Sequence, residues 1–369
     1  MSSNRISAVA LGLLSATFIF GPWAHPVMLR AQQPPPDGKT TGPGVQAPSD
    51  SKEPEVLAGC KVPPPARGGG RGRGPGGPGG GRGPAGPAEA RSVTITAIPG
   101  VIAAGVQWTQ IWDTTGNNAD GIIATKDGGI LLAQNNNSKI LKLDKNGKTT
   151  VAYDNLNTSG AVSMNSKGLL LANNRGLRAN IEELAPKRQN FANTYNGDSF
   201  DCIGGVLNDL TADSKGGAYF TMGGLYYANP QGVVTKYGQD LNTNGIILSR
   251  DEKTLFVTNG GRLMAFDVGA DGALTNQREF AKWEGGGGDG SAVDSEGRIY
   301  VTTNQGIQVI SPDGKLLGLI PTRRNVITCA FSGKNKKTLY AVEWDPANGG
   351  HDYIVTIPML AQGFKGRAK

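Results

Sequence analysis

The sequence predicts an all-β chain, a six-bladed β-propeller, and three observations carry that expectation. A short phrase recurs six times, opening at Asp120-Gly121, Ser159-Gly160, Asn208-Asp209, Asn244-Gly245, Asp289-Gly290 and Thr328-Cys329, with successive openings 39, 49, 36, 45 and 39 residues apart. Repeats of ~40–50 residues have the length of one propeller blade. Each opening leads into an apolar stretch, a turn rich in Asp, Ser, Lys and Gly, and a second apolar stretch. Short alternating segments follow in pairs: Gly129–Gln134 with Lys139–Asp144, Thr254–Thr258 with Arg262–Asp267, and Arg298–Thr302 with Gly306–Ile310. Turn residues such as Asp144–Gly147, Asp271-Gly272 and Pro312–Gly314 close them, which is the pattern of antiparallel strands. No long amphipathic helical pattern competes with it.

The elements divide the 369 residues into three parts. Residues 1–32 carry Arg5, a largely apolar run from Ile6 to Phe20, and Ala31, the pattern of a secretory signal peptide. The run falls short of the ~20 residues a membrane-spanning helix needs, so no transmembrane segment is expected in the mature chain. Residues 33–91 are rich in Pro, Gly and Arg, have little to bury, and are expected to form a disordered linker. From Lys61 to Arg91 this part holds six basic residues against Glu89, which is +5 of the chain's +7. Residues 92–369 are then nearly neutral, and no basic face points to nucleic acid. Within them Ser92 to Asp113 is strand-like and is expected to supply an outer strand that closes the ring against Tyr353–Ile357, removing the sheet edges. An exported location, periplasmic or secreted, follows from the signal pattern, and a monomer is expected.

The residues that remain for chemistry are few. The histidines are His25, inside the signal pattern, and His351, in a loop-like stretch where a solvated ring is the default. Neither a G-x-S-x-G elbow nor a phosphate-binding loop occurs. The three cysteines, Cys60, Cys202 and Cys329, make no disulfide framework; a Cys202–Cys329 bridge is one open pairing. The openings themselves carry Asp or Asn in four of six repeats, and a closed ring brings all of them to one axial mouth. Carboxylate and amide oxygens together suit a hard divalent cation such as Ca²⁺ or Mg²⁺. Asn, Asp and Gly before strands are also ordinary turn residues, which leaves a purely structural reading open.

Four segments in order resemble one known family. Asn208–Thr221 is similar to the P-N-D-[LV]-x-x-D-x-x-G-x-x-[YW]-F-T segment of the gluconolactonase/senescence-marker-protein (regucalcin) family. Asn244–Thr258 resembles its P-N-G-I segment, Asp289–Val301 its D-G-x-x-V-D segment, and Ile327–Gly333 its T-N-C-A-F-G-G segment. The resemblance implies a six-bladed propeller with a divalent cation at the axial mouth, Ca²⁺ first, with Zn²⁺, Mn²⁺ or Mg²⁺ as alternatives. It implies metal ligands at Asp120, Asn244 and Asp289, with Asp289 as the catalytic acid/base and Asn208 as a substrate-binding residue. The activity it implies is hydrolysis of a small-molecule lactone, the metal polarising the carbonyl. Asp120 stands where the family has Glu, Val206 where its sugar-acid hydrolases have Arg, and Thr328 where it has Asn. The loss of an Arg removes a bidentate hydrogen-bonding fork from the mouth. Two other readings stay open: a non-catalytic calcium- and ligand-binding propeller of the cell envelope, and a propeller enzyme of another class, such as a strictosidine-synthase-like condensing enzyme. In the family reading the openings at Ser159 and Thr328 are mainly structural.

Overall fold

The computed structural model describes residues 52–62, 64, 90–346 and 350–369. The expected signal peptide and most of the expected linker lie outside the described residues. Within the described ones the architecture is a six-bladed β-propeller: six four-stranded antiparallel sheets, five built from one repeat each and the sixth from the last repeat and a strand that precedes the first. The first strand of each blade follows or spans a repeat opening: Ile122–Ala124, Ser159–Met164, Leu207–Ala212, Thr243–Leu248, Ser291–Val293 and Asn325–Ser332. Each of these strands touches the first strand of the next blade, and the last touches the first, so together they line the axis. The ring closes as expected. Strand Thr109–Thr115 pairs antiparallel with His351–Pro358, at the outer edge of the sixth sheet. The preceding residues form no long strand, and Ile95, Ile98, Val101, Ile102 and Trp108 instead pack into the core between the fifth and sixth blades.

Six core clusters hold the ring, one at each junction between neighbouring blades. The junction of blades one and two, for example, buries Ile123, Ala133 and Ile140 against Val162, Leu170 and Ala172. A blade buried on both faces needs apolar side chains on both sides of its middle strands, which explains why those stretches are nearly continuous apolar runs. The polar turns are built by side chains that accept two backbone N–H groups: Asp213 Oδ1 accepts from Lys215 and Gly217, and Asp294 Oδ1 from Glu296 and Arg298. Such turns fix the hairpin between the first and second strand of a blade.

The opening glycines answer to close approach around the axis. A Cβ built on Gly121 would collide with the backbone of Gly160-Ala161, and one on Gly245 with the carbonyl of Asp289. Ladder register slips at Ser159/Val162, Leu207/Leu210, Thr243/Ile246 and Val326/Thr328. A bulge there takes the opening residues out of strand pairing, the usual way a sheet re-aims a side chain.

Three expectations are corrected. Residues Glu53–Ala58, in the stretch expected as linker, form a short helix. Cys60, just after it, is disulfide-bonded to Cys202, in the connection between the second and third blades, and Cys329 is buried and free, so the pairing left open between Cys202 and Cys329 does not form. His351 lies in a strand rather than a loop, with Nε2 2.7 Å from Asp113 Oδ2 and its ring stacked on Tyr353.

Candidate functional site at the axial mouth

The repeat openings place Asp120, Asn208, Asn244 and Asp289 at the same end of the ring, each partly exposed. Three of them are joined by a continuous chain of polar contacts. Asp120 Oδ2 lies 2.6 Å from Arg175 Nη1, Arg175 Nη2 donates to Asn208 Oδ1 at 2.9 Å, and Asn208 Nδ2 donates to Asn244 Oδ1. The backbone supports each link. Thr221 Oγ1 donates to the Asn244 carbonyl, and Asn173 Nδ2 donates to the Asn208 carbonyl. Asp289 stands on the neighbouring opening, its N–H donated to the Thr302 carbonyl and its own carbonyl against Gly245.

Arg175 is the residue the sequence reading missed. It follows the second strand of blade two, Leu170–Asn174, and its side chain runs back past the opening of its own blade to the axis. Gly160 makes this route available, since a Cβ there would fall inside the guanidinium. The side chain is 1% exposed, against 14% for its partner Asp120. The second blade thus brings a charged side chain to the mouth from beyond its opening at Ser159. An arginine does stand beside Asn208, delivered from another blade than the one carrying Val206.

Of the residues expected to hold a metal, Asp120, Asn244 and Asp289, the first is already engaged by a cationic side chain. Asp120 Oδ2 already receives Arg175 Nη1 and Asn135 Nδ2. A unit charge and a divalent ion about 4 Å apart repel by about 8 kcal/mol at an effective dielectric of about 20.

The opposite end of the axis is closed by the residues after the last strand. Phe364 N–H donates to Val293, Ala368 N–H to Met164, and Arg367 to Ser249 and Leu248, all on or just after first strands of blades. Lys369 Nζ reaches along the channel to Asp209 Oδ1 and the Leu210 carbonyl. Asp209 Oδ2 accepts the Ile246 N–H, so this carboxylate ties the third blade to the fourth, directly beneath Asn208. Cys329, in the channel wall, has its thiol pushed up to about 12 by burial, which suppresses the thiolate and any nucleophilic role.

Six four-stranded blades with Asn and Asp at the repeat openings define a β-propeller with a polar axial mouth. The profile described as "SMP-30/Gluconolactonase/LRE-like region" matches residues 136–343, more than half of the chain, and the protein belongs to that family. Lactonase drp35 of Staphylococcus haemolyticus is 28% identical over 313 residues, covering 75% of this chain and 91% of the relative. Among solved structures, a gluconolactonase of Xanthomonas campestris aligns with a TM-score of 0.62 at 22% identity, over 75% of this chain and 98% of that one. Regucalcin of Agrobacterium tumefaciens, described as a calcium-binding protein, aligns with a TM-score of 0.56 at 18% identity, over 68% of this chain and 92% of that one. At these identities the two structures speak for the fold.

Proposed function

We propose that the protein is a lactone hydrolase acting at the axial mouth. The observation that carries this reading is the joined set Asp120, Arg175, Asn208 and Asn244 beside Asp289, in a chain whose family includes lactonases. Asp289 is the acid/base. As a base it takes a proton from water while the water oxygen bonds to the lactone carbonyl carbon. The ring C–O bond then breaks, and Asp289 returns the proton to the departing alkoxide, leaving the open hydroxy acid. A carboxylate can run both steps without histidine, provided it stands within hydrogen-bond reach of the water. The side-chain amides of Asn208 and Asn244 offer N–H groups to the carbonyl oxygen as its negative charge develops. Their mutual hydrogen bond and the Arg175 contact hold them in place before substrate arrives. No step here runs through a metal.

Export is part of the proposal. A disulfide between residues 142 apart, Cys60 and Cys202, suits an oxidising compartment and agrees with the signal pattern at residues 1–32.

One observation favours a second reading, a non-catalytic ligand-binding module: Arg175 neutralises Asp120, so the mouth has less charge to spend on a transition state. Turnover decides between the two. The purified protein is offered aldonolactones and simple γ- and δ-lactones while acid release is followed. Hydrolysis that is lost in Asp289→Asn supports the enzyme. Full activity in that variant sinks the mechanism, and saturable binding without acid release establishes the module.

A further inference from the structure

We propose that Arg175 is the resident cation of the axial mouth, standing in for a divalent ion. The guanidinium has five N–H groups, and each has an oxygen to bond. Nε donates to the Leu207 carbonyl at 2.9 Å. Nη1 donates to Asp120 Oδ2 at 2.6 Å and Asn135 Oδ1 at 3.1 Å, and Nη2 to the Asn208 carbonyl at 2.7 Å and Asn208 Oδ1 at 2.9 Å. One carboxylate, two amide oxygens and two backbone carbonyls are the kinds of donor that make up a cage for a hard cation. Here they surround a planar guanidinium, whose fixed fork of donors matches such oxygens.

The arrangement is built for the guanidinium. Gly160 leaves the space through which it passes, and the side chain is buried to 1% exposure. Asn135 donates to the same Asp120 oxygen that Arg175 binds, and Asn173 donates to the same Leu207 and Asn208 carbonyls, so the acceptors are themselves held in position. With every N–H engaged, Arg175 has none left for a substrate. It acts as a positioning residue: it fixes Asn208 and neutralises Asp120. The mouth then depends on no divalent ion at Asp120, whichever small molecule it accepts.

Cation binding tests this without any substrate. The protein is treated with chelator, and its melting temperature is measured with and without millimolar calcium, manganese or magnesium chloride. The expected shift is below about 1 °C, because an ion that does not bind cannot stabilise. Arg175→Met removes the charge and leaves the oxygens, so its melting temperature is expected to rise by about 5 °C with calcium. Asp120→Asn in the same chain should abolish that gain. Arg175→Lys keeps a cation and should stay indifferent to calcium, which provides a folded comparison should Arg175→Met fold poorly without the ion. The proposal is overturned if the native protein binds calcium stoichiometrically and loses that binding in Asp120→Asn. It is overturned equally if folded Arg175→Met gains no cation dependence. Lactone turnover plays no part in either result, so this inference and the lactonase reading fail separately.

Discussion

Arg175 crosses its own blade over Gly160, and the absent side chain of Gly160 is what lets the guanidinium reach Asp120. The two residues lie 15 positions apart in one repeat and work as a single device. Gly160→Ala should therefore act as a mouth mutation, although residue 160 contributes no functional group. The methyl group displaces a buried cation from its carboxylate, and the expected cost is about 3 kcal/mol, from overpacking together with a broken partly buried ion pair. Urea denaturation of Gly160→Ala beside Gly160→Ala/Arg175→Ala checks it. The double variant should recover part of the loss, since it removes the colliding side chain.

Asp289→Asn is expected to lower kcat for lactone hydrolysis by about 10²- to 10⁴-fold, the usual worth of a positioned acid/base group. Stability should change by less than about 0.5 kcal/mol, because the change is isosteric and the residue is partly exposed. Asp120→Asn should behave in the opposite way. It leaves Arg175 as a buried charge without its carboxylate, so the expected loss is chiefly in stability. Measuring both variants in parallel by kinetics and denaturation separates the two acids by role.

The contrast between these acids shows how far the sequence could be read. Repeat period, polar openings and Asp-led turns are local features, and they carried the six blades, the closing strand and the axial position of Asp120, Asn208, Asn244 and Asp289. Arg175 escaped because its meaning is not local. It ends an Asn173-Asn174-Arg175 run that reads as a polar strand terminus, while its carboxylate partner lies 55 residues earlier in another blade. The one signal was the pairing of a glycine opening with an arginine at the end of the next strand in the same repeat. Cys60 and Cys202 were illegible for a similar reason: 142 residues separate them, and three cysteines define no pairing by spacing.

That disulfide gives a chemical count. In denaturant without reductant, one thiol per chain should react, that of Cys329; after reduction all three should. Under native conditions Cys329 should stay unreactive, since burial pushes its thiol up to about 12 and closes access to reagent. Labelling with a maleimide followed by mass measurement checks each stage. Two thiols beyond Cys329 in the unreduced sample would contradict the bond.

The contribution of Lys336 to stability should rise between pH 8 and pH 10, while that of Cys329, whose folded thiol is raised, falls across the upper part of the same window. Burial lowers Lys336 from 10.5 to about 8, with Arg367 and Lys365 nearby adding to the shift, while its Nζ donates to the Phe364 and Arg367 carbonyls. For a base whose folded pKa is depressed, the unfolded chain binds more protons between the two values, so unfolding free energy increases with pH across that window. Lys336 is partly exposed, and the gain is expected on the order of 1 kcal/mol. Above pH 10 the trend should reverse. Burial raises Tyr219, Tyr226, Tyr227 and Tyr300, so the unfolded chain loses tyrosine protons first. Urea midpoints of the native protein and Lys336→Met from pH 7 to 11 test both arms: the native protein should gain on the variant across pH 8–10, and both should fall above pH 10.

Lys369 and Asp209 couple the axial channel to the mouth. The ammonium is nearly buried, 4% exposed against 11% for the carboxylate, and the same carboxylate binds the Ile246 N–H. Lys369→Met leaves that charge inside the ring without its partner, and removal of one member of a buried pair costs about 3 kcal/mol. Asp209→Asn in the same chain should restore part of it, since a neutral amide oxygen can still accept from Ile246. The effect should reach catalysis as well, because Asp209 directly follows Asn208 on the bulged strand. A shift of Asn208 weakens its hold on substrate, so KM should rise more than kcat falls in Lys369→Met, with partial recovery in the double variant. Equal stability of all three proteins would mean that the pair does not form in solution.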